Sequence, residues 1–211
     1  MKHHVIVAGN IGVGKSTLVK MMHERLGWEP FYEAVVENPY LADFYADMRR
    51  WAFHSQMFFL TRRLLAHHEL LQRPGVVVQD RSVYEDAEIF ARNLFLQGQM
   101  SERDYETYSA LYDVLKLFLP PPHLVVYLEA SVPTLLKRIA LRGREYEKNI
   151  APEYLEQLNR LYQEWIGDFK LCPVLTVPSD RLDYVHYDHD LQLVIEKIQQ
   201  KLRGDQYVLF E

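Results

Sequence analysis

The sequence has one cysteine, Cys172, in 211 residues, which excludes an intramolecular disulfide and suits a reducing compartment. It has no apolar run of the length needed to cross a bilayer, which excludes a transmembrane helix. The run VIVA (5–8) ahead of the first glycine is too short for the hydrophobic region of a secretory signal, so a soluble cytoplasmic protein is expected. There is no basic excess either. The formal net charge of -5 argues against a nucleic-acid coat or a membrane-surface protein, so neither a nucleic-acid polymer nor a membrane is expected as partner. Any polyanionic ligand has to be met by local positive charge. The nine histidines show no metal-ligand spacing with the cysteine; His67 and His68 diverge on a helix, and His186 and His189 fall in an expected loop. Internal repeats, Ser/Gly linkers and low-complexity tracts are also missing. With 48% hydrophobic and 25% charged residues, the composition is that of one globular domain over 1–211.

Short apolar runs are present, and they read as buried strands: VIVA (5–8), VVV (76–78), LVVYL (124–128) and VLTV (174–177), with a weaker one at PFYEAV (30–35). Helical patterns lie between them at about 15–26, 49–72, 83–97, 101–118, 131–141, 151–169 and 189–203. Pro74-Gly75 and Pro120-Pro121-Pro122 end two of these helices. Strands alternating with helices predict an α/β fold with a parallel sheet covered on both faces. In such sheets a ligand binds at the carboxyl ends of the strands.

The first strand runs into Gly9-Asn10-Ile11-Gly12-Val13-Gly14-Lys15-Ser16, followed by Thr17 and a helical pattern. This fits G-x-x-x-x-G-K-[ST] in full, between a strand and a helix. Glycines let successive backbone N–H groups converge on phosphate oxygens, and the helix N-terminus adds positive potential. Lys15 is expected to reach the terminal phosphates, and Ser16 to hold Mg²⁺ through its hydroxyl. The expected ligand is a nucleoside triphosphate, ATP first.

The loop alone leaves switches, motors and kinases open. The guanine-reading N-K-x-D and the D-x-x-G of GTPase switches are absent. After VVVQ come Asp80 and Arg81, not the carboxylate pair of motor ATPases. Asp80 can hold the Mg²⁺ shell, and Arg81 can steady a transferring phosphoryl group. The second strand ends in Tyr32-Glu33-Ala34-Val35-Val36-Glu37-Asn38-Pro39-Tyr40. A carboxylate at that strand end can accept a proton from an attacking hydroxyl. Glu33 is the expected base, with Glu37 as the alternative.

Taken together, GNIGVGKST, YEAVVENPYL, WAFHSQ (51–56) with Arg63, DRSVYED (80–86) and RIALRGREYE (138–147) resemble the deoxynucleoside kinases. The ENPY element is most similar to the bacterial deoxyadenosine/deoxyguanosine branch. The resemblance runs over nearly the whole chain, with the motifs in family order. It implies a P-loop kinase fold with a five-stranded parallel sheet, an arginine-bearing lid at about 138–150, a homodimer, and ATP with Mg²⁺. The implied activity is phosphorylation of a deoxynucleoside 5′-hydroxyl, with deoxyadenosine and deoxyguanosine preferred, deoxycytidine a possible third and thymidine poor. By the same resemblance Glu33 draws the proton from the 5′-hydroxyl and Arg81 binds near the 5′-oxygen. Tyr45 and Glu147 hold the sugar 3′-hydroxyl; Gln56, Arg63 and Asp86 read the base, with Phe90 stacked beneath it. Arg138, Arg142 and Arg144 lie in the lid over the phosphates. The chain departs from the family pattern at Asp80, where many members carry glutamate, and at Ala34, where proline is common.

The residues bear on these roles independently. Gln56 and Arg63 are seven apart, two helical turns, and share a face. An amide offers a donor and an acceptor, enough to pair with adenine or cytosine. Phe53, Phe58 and Phe59 read as core. Two alternatives remain at this stage: a nucleoside monophosphate kinase, whose anionic acceptor suits poorly the carboxylates around Glu33, and a non-catalytic nucleotide-binding module, which would need no base.

Overall fold

The computed structural model describes residues 3–32, 38–147, 150–205 and 208–210. Glu33, Ala34 and Glu37 lie outside the described residues. Five strands, β1 (His3–Gly9), β2 (Glu29–Phe31), β3 (Val76–Asp80), β4 (Leu124–Glu129) and β5 (Val174–Pro178), form one sheet in the order β2-β3-β1-β4-β5. Every pairing is parallel. Around it lie α1 (Lys15–Leu26), α2 (Leu41–Ala46), α3 (Met48–Leu70), α4 (Val83–Glu85), α5 (Arg92–Leu96), α6 (Glu102–Lys116), α7 (Val132–Arg142), α8 (Pro152–Asp168) and α9 (Asp188–Leu202). All five expected strands and all seven expected helical segments are present, with ends shifted by a few residues.

The sheet is apolar on both faces because helices cover both. Side chains alternate between faces along a strand, so Val5 and Val7 enter one core with α1, α7 and α9, while Ile6 and Ala8 enter the other with α3 and α8. In β4, Leu124, Val126 and Leu128 join the first core, and Val125 and Tyr127 the second. With β1 in the middle of the sheet, the loop after it opens where the strand order reverses, between the ends of β3 and β4.

Three local features depart from the sequence expectation. The short helix α2 follows Pro39 directly and is too brief to show a helical period. The segment expected as one helix over 83–97 is continuous, but its middle, Asp86–Ala91, is wound as a π-helix. Such widened turns interrupt the α-helical spacing and are frequent at functional sites. His189 also lies in the first turn of α9 instead of a loop.

Away from the ligand end, four histidines meet. The His4 and His67 rings pack edge to face at 5.3 Å, His4 Nε2 lies 2.8 Å from Gln79 Oε1, and the His4 N–H donates to His123 Nδ1 at 3.0 Å. Burial, with the neighbouring His67, lowers the His4 pKa to about 3, and burial lowers that of His67 to about 4. Both rings are therefore neutral in the folded chain below pH 6.5, where they take up protons once unfolded. Stability is expected to fall as pH drops from about 6.5, by roughly 2 kcal/mol per histidine at pH 5. Urea unfolding at pH 7.5 and pH 5 measures this, and His67→Phe should reduce the difference.

Candidate active site

The phosphate loop is shaped by its glycines. Gly14 sits at φ 106, and a Cβ there would lie 2.7 Å from the Tyr184 hydroxyl. Gly9 sits at φ 144, and a Cβ there would lie 2.6 Å from the Leu128 carbonyl oxygen. Both are conformations and spaces that only glycine fills well. Asn10 anchors the loop: its amide donates to the Leu155 carbonyl at 2.9 Å and to Asn159 Oδ1 at 2.8 Å, and its own Oδ1 accepts from Ile11 N–H. Lys15 bends back, its Nζ donating to the Gly9 and Asn10 carbonyls at 2.9 and 3.0 Å. Those carbonyls hold the ammonium inside the loop, facing the space that a phosphate would fill.

β3 delivers the next groups. The Ser16 hydroxyl donates to Asp80 Oδ2. Asp80 Oδ1 is buried with no hydrogen-bond partner among the described residues. A hydroxyl joined to a carboxylate with one oxygen left over is a donor set that suits a hard divalent cation. Arg81 has φ 64, the positive-φ residue among the described non-glycines. Non-glycine residues held there are strained, and such strain clusters at functional sites. The Arg81 backbone N–H is fixed by the Val7 carbonyl at 3.1 Å, and its guanidinium lies over the Phe90 ring at 4.1 Å. The Phe90 ring thus carries Arg81 on its face while lining the same cavity.

α3 and the π-helical turn supply the polar floor. Arg63 grips Asp86 with two bonds, Nε to Oδ2 at 2.9 Å and the second nitrogen to Oδ1 at 3.1 Å, and also donates to the Asp80 carbonyl at 3.2 Å. Both side chains are buried. Gln56, one face along α3, is 4% exposed, and its Oε1 has no hydrogen-bond partner among the described residues. Tyr45, at the end of α2, lines the cavity beside it.

The segment after α7 brings the remaining arginines. Arg142 donates to Glu147 Oε2 at 3.0 Å through Nε, and Arg144 reaches Oε1 at 3.4 Å. Glu147 therefore sits between two arginines. Arg138 spends its donors on backbone, the Val13 and Ser179 carbonyls, both at 2.8 Å, and so ties α7 to the phosphate loop.

One cavity of about 820 Å³ runs past most of these groups. It is lined by the loop residues Ile11, Gly12, Val13, Gly14, Lys15, Ser16 and Thr17, by Tyr45, Gln56, Asp80, Arg81 and Phe90, and by Arg138, Arg142, Arg144 and Glu147. Arg63 and Asp86, expected to read the base, are not among the described residues that line it. Phe59, expected in the core, also faces the cavity.

Several residues escaped the sequence reading. The loop 179–186 after β5 lines the far end of the cavity, and it contains Tyr184, whose buried hydroxyl is pushed up to about 12. Nothing in its local pattern marks it. Glu85 is fully buried beneath the phosphate loop, and with Ser82 it closes a capping box. The S-x-x-E spacing of Ser82 to Glu85 was a legible signal.

With this geometry established, three comparisons bear on it. The sequence profile of the deoxynucleoside kinase family matches residues 5–203. The chain is 37% identical to the deoxyadenosine/deoxycytidine kinase of Bacillus subtilis (strain 168), over 97% of this chain and 98% of that protein. It is 33% identical to a deoxyguanosine kinase of Lactobacillus acidophilus, over 94% and 90%. Among solved structures, deoxyadenosine kinase from M. mycoides with products dCMP and a flexible dCDP superposes with a TM-score of 0.84 at 31% identity, covering 95% of this chain and 100% of that one. The same enzyme with bound dATP gives 0.83.

Proposed function

The chain belongs to the deoxynucleoside kinase family, and on that premise we propose which residues carry out its phosphoryl transfer and which bases it accepts. The enzyme transfers the γ-phosphoryl group of ATP to the 5′-hydroxyl of a deoxynucleoside. The observation that carries the residue assignment is the single cavity that joins the phosphate loop to a buried, partly unsatisfied polar floor at Gln56.

The loop amides of Gly9 to Thr17 cradle the triphosphate, and Lys15 leaves the loop carbonyls for the phosphates. Arg81, already fixed in a strained turn, neutralises charge that spreads over the transferring group. Glu33 accepts the 5′-hydroxyl proton, and Tyr45 with Glu147 orients the sugar. Ser16 and Asp80 would hold Mg²⁺, which supplies charge neutralisation to the phosphates when bound. The unpartnered Asp80 Oδ1 is what fits them to it.

The segment 138–150 serves as the lid. Arg142 and Arg144 reach the phosphates while Glu147 keeps them in place, linking sugar binding to lid closure. Alanine at Arg144 is expected to lower turnover by about tenfold or more while changing deoxynucleoside affinity little. Steady-state kinetics in both substrates measures the split; a change confined to deoxynucleoside affinity would remove Arg144 from the lid.

For the base, the free Gln56 Oε1 wants a donor, and the exocyclic amines of adenine and cytosine provide one. Turned over, the Gln56 amide offers its N–H₂ to the guanine 6-oxygen, while Arg63, locked against Asp86 off the cavity wall, steadies that floor. Thymine brings no exocyclic amine, and leaving a buried acceptor unpaired costs about 1–3 kcal/mol. Phe59, which lines the cavity, also crowds its 5-methyl group. Deoxyadenosine and deoxyguanosine are therefore the preferred substrates, deoxycytidine the third and thymidine the poorest. The names of the Bacillus subtilis and Lactobacillus acidophilus relatives, which span adenine, cytosine and guanine, support the first three, while a mitochondrial thymidine kinase 2 at 32% identity also stands among the relatives. Comparing kcat/KM for all four deoxynucleosides tests it, and thymidine in first place would sink the base assignment.

The enzyme acts in the cytoplasm as a homodimer. Among the described residues no helix is long and apolar enough to cross a membrane. The dimer is supported by exposed apolar residues on neighbouring helices, Leu65 on α3 with Leu111 and Val114 on α6 and Leu117 and Phe118 just beyond it.

A further inference from the structure

The deepest polar cluster beneath the phosphate loop has no role in the assignments above. Glu85 is fully buried on α4, and Tyr162 is fully buried on α8. Glu85 Oε1 accepts from the Gly9 N–H at 3.2 Å and lies 2.8 Å from the Tyr162 hydroxyl. Glu85 Oε2 accepts from the Ser82 N–H at 2.9 Å and from the Ser82 hydroxyl at 3.1 Å. One carboxylate thus clamps the first glycine of the loop to the residue after Arg81. The Tyr162 hydroxyl also lies 2.8 Å from the Gly9 carbonyl, the same oxygen that receives Lys15 Nζ.

A hydroxyl has one proton, and here it faces two acceptors. While Lys15 donates to the Gly9 carbonyl, Tyr162 is free to donate to Glu85. When Lys15 turns to a phosphate, the Gly9 carbonyl loses that donor in a dry interior, where a lost bond is expensive. Rotation of the Tyr162 O–H about its C–O bond restores a donor without moving a heavy atom. Burial pushes the Glu85 carboxyl up, against the pull of Arg81 and Lys15; the rotation moves no proton between groups, and Glu85 keeps its bonds from the Gly9 and Ser82 N–H groups. The ionisable groups facing it are Lys15 from α1, Arg81 after β3, Tyr162 from α8 and Tyr127 from β4.

We propose that Glu85 and Tyr162 are positioning residues for phosphoryl transfer: Glu85 fixes the phosphate loop against the Arg81 turn, and Tyr162 takes over the Gly9 carbonyl when Lys15 moves to the nucleotide. The proposal rests on ATP being the ligand of the loop. It concerns the ATP side of the reaction and leaves the deoxynucleoside side alone.

Tyr162→Phe removes one oxygen and keeps the ring, which stacks on Tyr127 at 5.6 Å. The test measures kcat and KM for ATP and for deoxyadenosine in the parent, in Tyr162→Phe and in Glu85→Gln. Tyr127→Phe serves as the control, being a buried tyrosine whose hydroxyl makes no hydrogen bond to Gly9 among the described residues. We expect kcat/KM for ATP to fall about tenfold in Tyr162→Phe, with KM for deoxyadenosine within about twofold of the parent. Glu85→Gln should fall further, because its amide N–H₂ must face either the Gly9 or the Ser82 N–H. If that variant does not fold, Tyr162→Phe decides alone. An unchanged kcat/KM for ATP in Tyr162→Phe overturns the proposal, as does a parallel loss in both substrates that Tyr127→Phe reproduces. A parent that transfers phosphate only from another donor overturns the ATP assignment, and the proposal with it.

Discussion

Glu33→Gln is expected to lower turnover by roughly two orders of magnitude or more while deoxynucleoside still binds. The amide keeps the shape of the carboxylate but cannot take the 5′-hydroxyl proton. Glu33 itself is outside the described residues, so the expectation stands on sequence position and on its neighbour: β2 ends at Phe31, and Tyr32 already lines the cavity. Lys15→Ala should act differently. It removes an ammonium that the loop holds inside the cavity, so ATP affinity and turnover both fall, the latter by about two orders of magnitude. Pre-steady-state and equilibrium binding measurements separate the two patterns. Near-normal turnover in Glu33→Gln would move the base to Glu37.

Asp86→Ala is expected to destabilise the fold by about 3–5 kcal/mol in addition to its effect on substrate choice. Asp86 and Arg63 are 3% and 5% exposed at their side chains and share two bonds, so alanine leaves a buried guanidinium without its counter-charge. A merely exposed base-reading carboxylate would lose specificity and little stability. Asp86→Asn keeps one acceptor for Arg63 and should recover much of the loss. Urea denaturation of the three proteins, read beside their kcat/KM for the four deoxynucleosides, separates the structural from the recognition effect. Equal stability of Asp86→Ala and the parent would show that the pair contributes nothing to the fold.

The strands and the phosphate loop were legible because their signals are local. A buried parallel strand is a short apolar run, and glycine spacing around a lysine has few other uses. The resemblance to deoxynucleoside kinases extended that reading to Gln56, Arg63, Asp86 and Glu147, which lie on three separate elements. What stayed hidden depends on residues distant in sequence. The π-helical turn at Asp86–Ala91 has no composition signature, since it arises from packing against α3 and α8. Tyr184 closes over Gly14 from 170 positions away, and Tyr162 reaches Gly9 across 153 positions. The strain at Arg81 is a backbone fact that no side-chain pattern carries. Glu85 is the instructive case: its capping-box spacing was readable, but only the fold shows that the same carboxylate also holds the phosphate loop.

The central claim is that this chain phosphorylates the 5′-hydroxyl of a deoxynucleoside with the residues that line one continuous cavity. The most direct measurement incubates the protein with γ-labelled ATP, Mg²⁺ and deoxyadenosine, and identifies the labelled product by mass spectrometry and by the phosphorus–carbon couplings of its NMR spectrum. The account predicts label in deoxyadenosine 5′-monophosphate for the unmodified protein and a loss of that product in Glu33→Gln and Lys15→Ala. Transfer of label to a deoxynucleoside monophosphate in preference to the deoxynucleoside, or a 3′-phosphate as product, would contradict it.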